Sequence, residues 1–560
     1  MRRRTRVLVA VAVALILPRP SLAEERPVLE LSLEDAVKRA LDNNLDIAVD
    51  RFNPTVGAEG VRQALGAYDP FLSGTLSTAS QKSPATSAFS GGVKVTTDTQ
   101  LWNFGVNQYL PTGGTFNITF NSNKTDTNSV FTTFNPTYTS FFSLNLTQPL
   151  LRNLKLDSAR EGIRVAKKSR EISDVQFRQT VINTVASTKQ GYYDLIAAID
   201  NLDAQQKSFD LAKKLLNENE IKVRVGTLAP LDVVSAQAEV ASREEGVIRA
   251  EAAILDTEDA LKRLIFPKND PATWDLRIIP KDRPSAEPVR VDVATAIQNA
   301  LEKRTDVVVA RKNLEKADIS VDFARSQVLP QVDFVASYGS TGVGGTQLNR
   351  QGLGGPIIST VPGGYVDAAG DAVGIANPTW SVRLNLTYPI MNRQAAAQSA
   401  QARLFKDQAL ISFQLLELQV AQQVRVAARA VETNSKRIAT TRAARILQEQ
   451  RLDAEEKKFA AGMSTNFLVT QAQRDLADAR VAEIQAIADY SKSVVELQRV
   501  QEAGVSGSGS VATVSTSGTN PLAPQAVTTP STGTTSTART TTTPTTTSTT
   551  STTSTTGTGP

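Results

Sequence analysis

The side chains that do most protein chemistry are missing from this chain. Its 560 residues include no His and no Cys. That removes the commonest general base, the commonest metal ligand and the thiolate nucleophile. It also leaves no disulfide. Acids are frequent, but on long helical stretches they read as solvated or ion-paired faces. Gly226-Thr227-Leu228-Ala229-Pro230 lacks the Gly-Lys-Ser/Thr spacing of a phosphate loop. No catalytic, cofactor-binding or metal-binding set emerges, and the chain reads as a non-enzyme without a cofactor. One acid stands apart. Asp232 follows the turn at Gly226, where it could cap a returning helix or bind cations in a ring of copies.

The elements that position that turn are very long helices. After Gly226, apolar residues fall seven apart: Val233, Val240, Val247, Ile254 and Leu261. Before it they step by fours and threes: Val181, Val185, Thr188, Tyr192, Leu195, Ile199 and Leu202. Such heptad seams predict two antiparallel helices with left-handed supercoiling. At 1.5 Å per residue the arm before the turn is about 100 Å long, far beyond what a globular core needs.

The N-terminal flank differs. A short amphipathic helix is expected over 31–43, then a second over 46–67, kinked at Pro54. From 70 to 150 charges nearly vanish and alternation takes over. Phe116, Ile118 and Phe120 alternate with Asn117, Thr119 and Asn121; Leu144 and Leu146 alternate with Ser143, Asn145 and Thr147. That period places apolar groups on one strand face and polar groups on the other. Pro111 to Gly114 reads as a tight turn, and 80–92 and 125–139 read as loops.

The chain then repeats. At an offset of 260, Ala36, Val37, Ala40, Leu41, Asp46 and Arg51 meet Ala296, Ile297, Ala300, Leu301, Asp306 and Arg311. A strand is expected over 331–337, a Gly-rich loop after it, and a strand over 380–388 with Trp380, Val382, Leu384, Leu386 and Tyr388 on one face. Trp and Tyr at the ends of an apolar strand face suit the girdle of a membrane barrel. Leu144-Asn145-Leu146-Thr147-Gln148-Pro149 and Leu384-Asn385-Leu386-Thr387-Tyr388-Pro389 are near copies, each leading into a long helix. The second hairpin turns at Gly462, and its returning arm carries Val469, Leu476, Tyr490 and Leu497, with Glu483 breaking the seam.

The two turns carry one pattern: Val225-Gly226-Thr227-Leu228-Ala229-Pro230-Leu231-Asp232-Val233-Val234-Ser235-Ala236-Gln237 and Ala461-Gly462-Met463-Ser464-Thr465-Asn466-Phe467-Leu468-Val469-Thr470-Gln471-Ala472-Gln473. With the duplication over 31–501, the chain resembles the TolC-like outer membrane efflux proteins. The resemblance implies an α+β membrane protein and a homotrimer. Its copies share one transmembrane β-barrel in outer-membrane lipid, continued by a long periplasmic α-helical barrel in a Gram-negative type of cell. It implies a passive duct of a tripartite efflux or type I secretion system, joined through a periplasmic adaptor to an inner-membrane pump. The docking tips would be Gly226, Thr227, Leu228, Leu231, Gly462, Met463, Ser464 and Phe467, with Asp232 as a possible constriction ring. Some family members carry gating carboxylates at the second tip, where this chain has Leu468 and Gln471. The family's usual count is four strands per protomer; the first repeat here is long enough for an extra hairpin.

The remaining segments fit that reading. Arg2, Arg3, Arg4 and Arg6, the apolar run 7–17 and Ser21-Leu22-Ala23 form a signal peptide over 1–23. Its five Arg account for the formal charge of +5, so no basic face supports nucleic-acid binding. The expected organisation continues with equatorial helices over 24–69, strands and loops over 70–150, and a helical hairpin over 151–266. Linker and equatorial helices follow over 267–330, strands over 331–390 and the second hairpin over 391–503. The Ser/Thr/Pro-rich end, 504–560, cannot bury a core. A competing class is an adhesive or structural outer-membrane protein with coiled-coil spacers, though a spacer needs no duplicated tip.

Overall fold

The structure is a computed structural model that describes residues 27–84, 94–267, 271–285 and 287–504. The segment expected to be a signal peptide, 1–23, and residues 505–560 lie outside them. In chain order the elements are β1 (Val28–Leu31), α1 (Leu33–Asn43), α2 (Leu45–Asp50), α3 (Phe52–Leu65) with a 3-10 turn at Gly66–Tyr68, β2 (Phe71–Pro84), β3 (Lys94–Tyr109), β4 (Thr115–Thr127), β5 (Phe134–Pro149), α4 (Ser158–Arg224) and α5 (Pro230–Ile265). The second half has α6 (Pro271–Trp274), β6 (Arg277–Pro280), α7 (Val293–Lys303), α8 (Thr305–Gln327), β7 (Gln331–Arg350), β8 (Ile357–Val361), α9 (Tyr365–Val373), β9 (Pro378–Thr387), α10 (Arg393–Ala460) and α11 (Asn466–Glu502).

Local chemistry sets the equatorial helices. Ser32 caps α1 by accepting from the Asp35 amide, and Asn44 caps α2 by accepting from the Asp46 and Ile47 amides. The break expected at Pro54 falls earlier, at Arg51. Pro54 lies in the first turn of α3, where a missing N–H costs little. Ala36 and Ala40 are fully buried against Tyr192, Leu195 and Leu261 of the long helices. In the second half Ala296 and Ala300 pack with Val420, Val424 and Val500. The segment after Phe266 is more than a linker: β6 pairs in parallel with β1.

The long helices are 67, 36, 68 and 37 residues in chain order. They lie side by side as α10–α11–α4–α5. The seams bury Thr188, Tyr192, Leu195, Val247, Ile254 and Leu261 in one hairpin and Val469, Leu476, Tyr490 and Leu497 in the other. Glu483 is kept in its seam by Arg445 and by Arg442 at 3.2 Å. No helix among the described residues is long and apolar enough to cross a membrane.

The sheet runs β2-β3-β4-β5-β7, with β9 and the short β8 sharing the far edge of β7. All its pairings are antiparallel. Registers such as Leu72↔Val106, Val106↔Ile118, Ile118↔Leu144, Leu144↔Tyr338 and Tyr338↔Trp380 carry one apolar face across the sheet. The opposite face holds Ser73, Asn107, Asn117, Asn145, Ser337 and Ser381. Three expectations are corrected here. Residues 80–84 extend β2, and the 125–139 loop shrinks to 128–133, because Ser and Thr pair as strands even where neither face is apolar. The Gly-rich stretch after 337 continues β7 to Arg350 beneath α9. A Cβ on Gly342 would lie 1.9 Å from the Ala368 carbonyl oxygen, so only glycine admits that helix.

Candidate functional site: the paired helical tips

Both hairpins turn by the same device. Helix α4 ends at a Val225 cap and Gly226 takes φ +78°; α10 ends at an Ala461 cap and Gly462 takes φ +75°. The Thr227 amide donates to the Lys222 carbonyl at 2.8 Å and the Gly226 amide to Val223 at 3.0 Å. The Met463 amide donates to Lys458 at 2.8 Å and the Gly462 amide to Phe459 at 3.2 Å. This paired closure is the Schellman motif, and it requires a left-handed residue where glycine is least strained. Lys222, Arg224, Lys457 and Lys458 crowd the last turns, where cations complement the negative helix end.

The returning helices start differently. Thr465 caps α11, its hydroxyl accepting from the Leu468 amide at 3.4 Å. Helix α5 starts with an extended Ala229 and Pro230 in the first helical position, without a side-chain cap. Asp232 is therefore not the N-cap. It sits in the first turn, its amide bonded to the Ala229 carbonyl, because Pro230 fixes the helix start two residues earlier.

The two tips are clasped to each other. Buried Asn219 donates to Asn466 at 2.8 Å, and Asn466 donates to the Asp232 carbonyl at 3.3 Å. The Lys222 ammonium sits 3.5 Å from the centre of the Phe459 ring and donates to the Phe459 carbonyl. Leu215, Leu452, Phe459, Val469, Ala472 and Leu476 form an apolar cluster beneath, with Leu228 against it. Further along, Arg474 of α11 and Arg243 of α5 both grip Glu239. Burial pushes that carboxyl up, but the two guanidiniums outweigh it and hold it below the ordinary range.

The residues expected at the docking tips divide accordingly. Leu231, Met463 and Phe467 are exposed by 74, 74 and 70%, although large apolar groups normally find cover. Gly226 and Gly462 are exposed turns. Leu228 is drawn inward, the Thr227 hydroxyl closes on the Lys222 carbonyl, and the Ser464 hydroxyl donates to Glu455 at 2.8 Å. The Lys458 ammonium, with that hydroxyl, keeps the Glu455 carboxyl low. Sequence reading missed Val225, Val234 and Leu468, which extend the exposed apolar surface. It also missed the Asn219–Asn466 clasp. The signal was there: Asn219 lies four residues after Leu215, on a buried row. The tips offer apolar contact and backbone groups, and no reactive pair. Among the described residues no group of acids is arranged to hold a metal ion.

This architecture has counterparts. The family model for outer membrane efflux proteins matches residues 36–265 and 296–501, which are the two repeats. The chain belongs to the outer membrane efflux protein family, and its fold is TolC-like. The Campylobacter jejuni CmeC outer membrane channel superposes with a TM-score of 0.58 at 17% identity, covering 84% of this chain and 85% of that one. CusC gives a TM-score of 0.61 at 13% identity over 86% and 96%. The open state of the Neisseria gonorrhoeae MtrE channel gives 0.58 at 15% over 84% and 89%. No curated protein sequence matches the chain.

Proposed function

We propose that this chain is the outer-membrane duct of a tripartite efflux or type I secretion system, with no catalysis of its own. Three copies share one β-barrel in outer-membrane lipid and one periplasmic helical barrel. The tips dock a periplasmic adaptor that links the duct to an inner-membrane pump. Nucleic acid plays no part.

One observation carries this reading: both layers of the protomer are unfinished at matching ends. Strand β2 is one edge of the sheet and β9, with the short β8, is the other, and β2 and β9 are exposed almost throughout. An open edge cannot sit in lipid, because its amides and carbonyls would lack partners. At the ends of the helical row, α10 exposes Leu404, Ile411, Leu415 and Leu418, and α5 exposes Ile248 and Leu255. Head-to-tail closure of identical copies covers both layers together.

Mass measurement of the detergent-extracted protein should give a trimer. Leu231→Asp and Phe467→Asp should keep that mass yet abolish co-purification with a periplasmic adaptor from the same cell. Undiminished capture would remove the tips from the docking surface. Three copies of Asp232 form the constriction in this reading. Asp232→Ala should then lower cation selectivity in planar bilayers, and unchanged selectivity sinks the ring.

A further inference from the structure

Resting on the shared-barrel reading above, we propose that the β2–β3 hairpin is a permanent part of the barrel wall. Each protomer then contributes six long strands and the closed barrel has eighteen, half as many again as four strands per copy would supply.

Three independent features place the hairpin in the wall. The first is facial continuity. Leu72 and Leu76 of β2 and Trp102, Phe104 and Val106 of β3 lie in register with the apolar face of β4, β5, β7 and β9. Ser73, Thr75, Ser77, Asn103 and Asn107 continue the polar face. A flap outside the barrel, or a plug within it, has no reason to keep that alternation in step with the wall.

The second feature is the periplasmic turn between β3 and β4, which is keyed into the base of the long helix. The Thr112 hydroxyl donates to Gln148 at 2.7 Å, and the Gln148 side-chain amide returns a bond to the Thr112 carbonyl. Gly113 takes φ +86° directly against the Asp157–Arg160 pair that caps α4; a Cβ there would lie 2.7 Å from the Arg160 Nη2. The third is α9. From the outer face it reaches across both repeats, with Tyr365 edge-on to Trp102 of β3 at 5.3 Å and Ala368 against β7.

Topology permits closure. The six strands alternate in direction, so β9 of one copy meets β2 of the next antiparallel, as every other pair in the sheet does. The girth also fits. At about 4.8 Å between strands and a tilt of about 40°, eighteen strands give a backbone diameter of about 36 Å, and twelve give about 24 Å. Twelve helices side by side at about 9 Å give a ring of about 35 Å. Eighteen strands thus continue the helical duct without narrowing it. The passage is limited at the tips, and bulky cargo that clears them meets no second neck in the membrane.

The chain has no cysteine, so introduced thiols report cleanly. Ser73→Cys, Thr75→Cys and Ser77→Cys, each combined in turn with Ser381→Cys, Arg383→Cys or Asn385→Cys, sample the β2–β9 junction between copies. One register should give disulfide-linked trimers on denaturing gels. Single cysteines along β2 supply a second readout in liposomes. Positions 73, 75 and 77 should label several-fold faster with a water-soluble maleimide than positions 72 and 76, and fluorophores at 72 and 76 should be quenched by brominated lipid. Links from Asn117→Cys or Thr119→Cys of β4 to β9 instead, in a protein that still has trimer mass, would overturn the wide wall and leave the duct standing. A monomeric mass would defeat both.

Discussion

The two halves of this chain use one plan with different residues, and the differences show which parts of the plan are fixed. Position by position, the returning helices keep their seams at an offset of 236: Val233 with Val469, Val240 with Leu476, Ile254 with Tyr490, Leu261 with Leu497. The carbonyls that end the hairpins follow the same offset. Leu264 accepts from Asn44 at 3.2 Å, and Val500 accepts from Arg304 at 3.3 Å. An amide in one half and a fully buried guanidinium in the other do one job at one place. The β regions diverge far more: four strands in the first half, two long strands with α9 and β8 in the second. Helix spacing is therefore dictated by the packing partner, whereas the sheet tolerates a whole extra hairpin, because its two strands preserve direction and face.

The sharpest break in the parallel is Val247 against Glu483. Glu483 is tolerated because Arg442 and Arg445 reach it across its own hairpin. At the same offset, the first hairpin has Gln206 and Phe209 where those arginines stand. Val247→Glu should therefore bury an acid without its partners and cost about 3–5 kcal/mol, the range for an uncompensated buried charge. Urea titration of the 222 nm circular dichroism signal would measure it. Adding Phe209→Arg should recover part of the loss. If Val247→Glu proves harmless, the two seams differ by drift and not by charge pairing.

A smaller effect should be matched in both halves. Tyr192 donates to the Leu31 carbonyl at 2.9 Å and accepts from the Asp282 amide. Tyr490 donates to the Glu287 carbonyl at 2.6 Å and accepts from the Val289 amide. Each hydroxyl pins an entering segment to a long helix. Tyr192→Phe and Tyr490→Phe strand two backbone groups apiece and should each cost about 1–3 kcal/mol. Amide exchange would localise the loosening to 278–283 in one variant and 287–291 in the other.

Much of this plan was legible before any coordinates, because heptad spacing and strand alternation are periodic and the duplication doubles each signal. The turns at Gly226 and Gly462, the seams, and the Pro111–Gly114 turn needed only local rules. What escaped had long-range causes. The reach of β2 and β7 was hidden because Ser, Thr and Gly carry no facial contrast; pairing with β3 and packing beneath α9 decide their conformation. Strand β6 exists only because β1, some 250 residues earlier, offers it an edge. Asp232 could cap the returning helix on residue type alone, but Pro230 takes the first helical position and leaves Asp232 in the first turn. Leu228 and Ser464 looked like surface at the tips, and the clasp between hairpins turned them inward.

The clasp should also be acid-sensitive on one side. Arg474 and Arg243 hold Glu239 below the ordinary carboxylate range despite its burial. A depressed folded value stabilises above the unfolded value of about 4.3. That contribution disappears as pH falls through the lower folded value. Wild-type protein should thus loosen near the tips below about pH 4, read as faster amide exchange over 236–243. In Glu239→Gln the exchange should already be raised at neutral pH and should change little on acidification. Equal acid responses in the two proteins would assign the sensitivity to other groups.

The smallest expected difference lies in how the returning helices begin. Thr465 caps α11, while Ala229 occupies the equivalent extended position before α5 without a side chain that can accept. Thr465→Ala should therefore destabilise the second tip by about 0.5–2 kcal/mol. Ala229→Ser should stabilise the first by a similar or smaller amount, since Ala229 already has φ −75° and ψ 144° and needs only a hydroxyl aimed at the Asp232 amide. Local amide exchange over 230–236 and 466–472 would read each tip separately. The expected result is opposite in sign at the two tips. A destabilising Ala229→Ser would mean that Pro230 alone sets the start of α5 and that the first tip has no room for a cap.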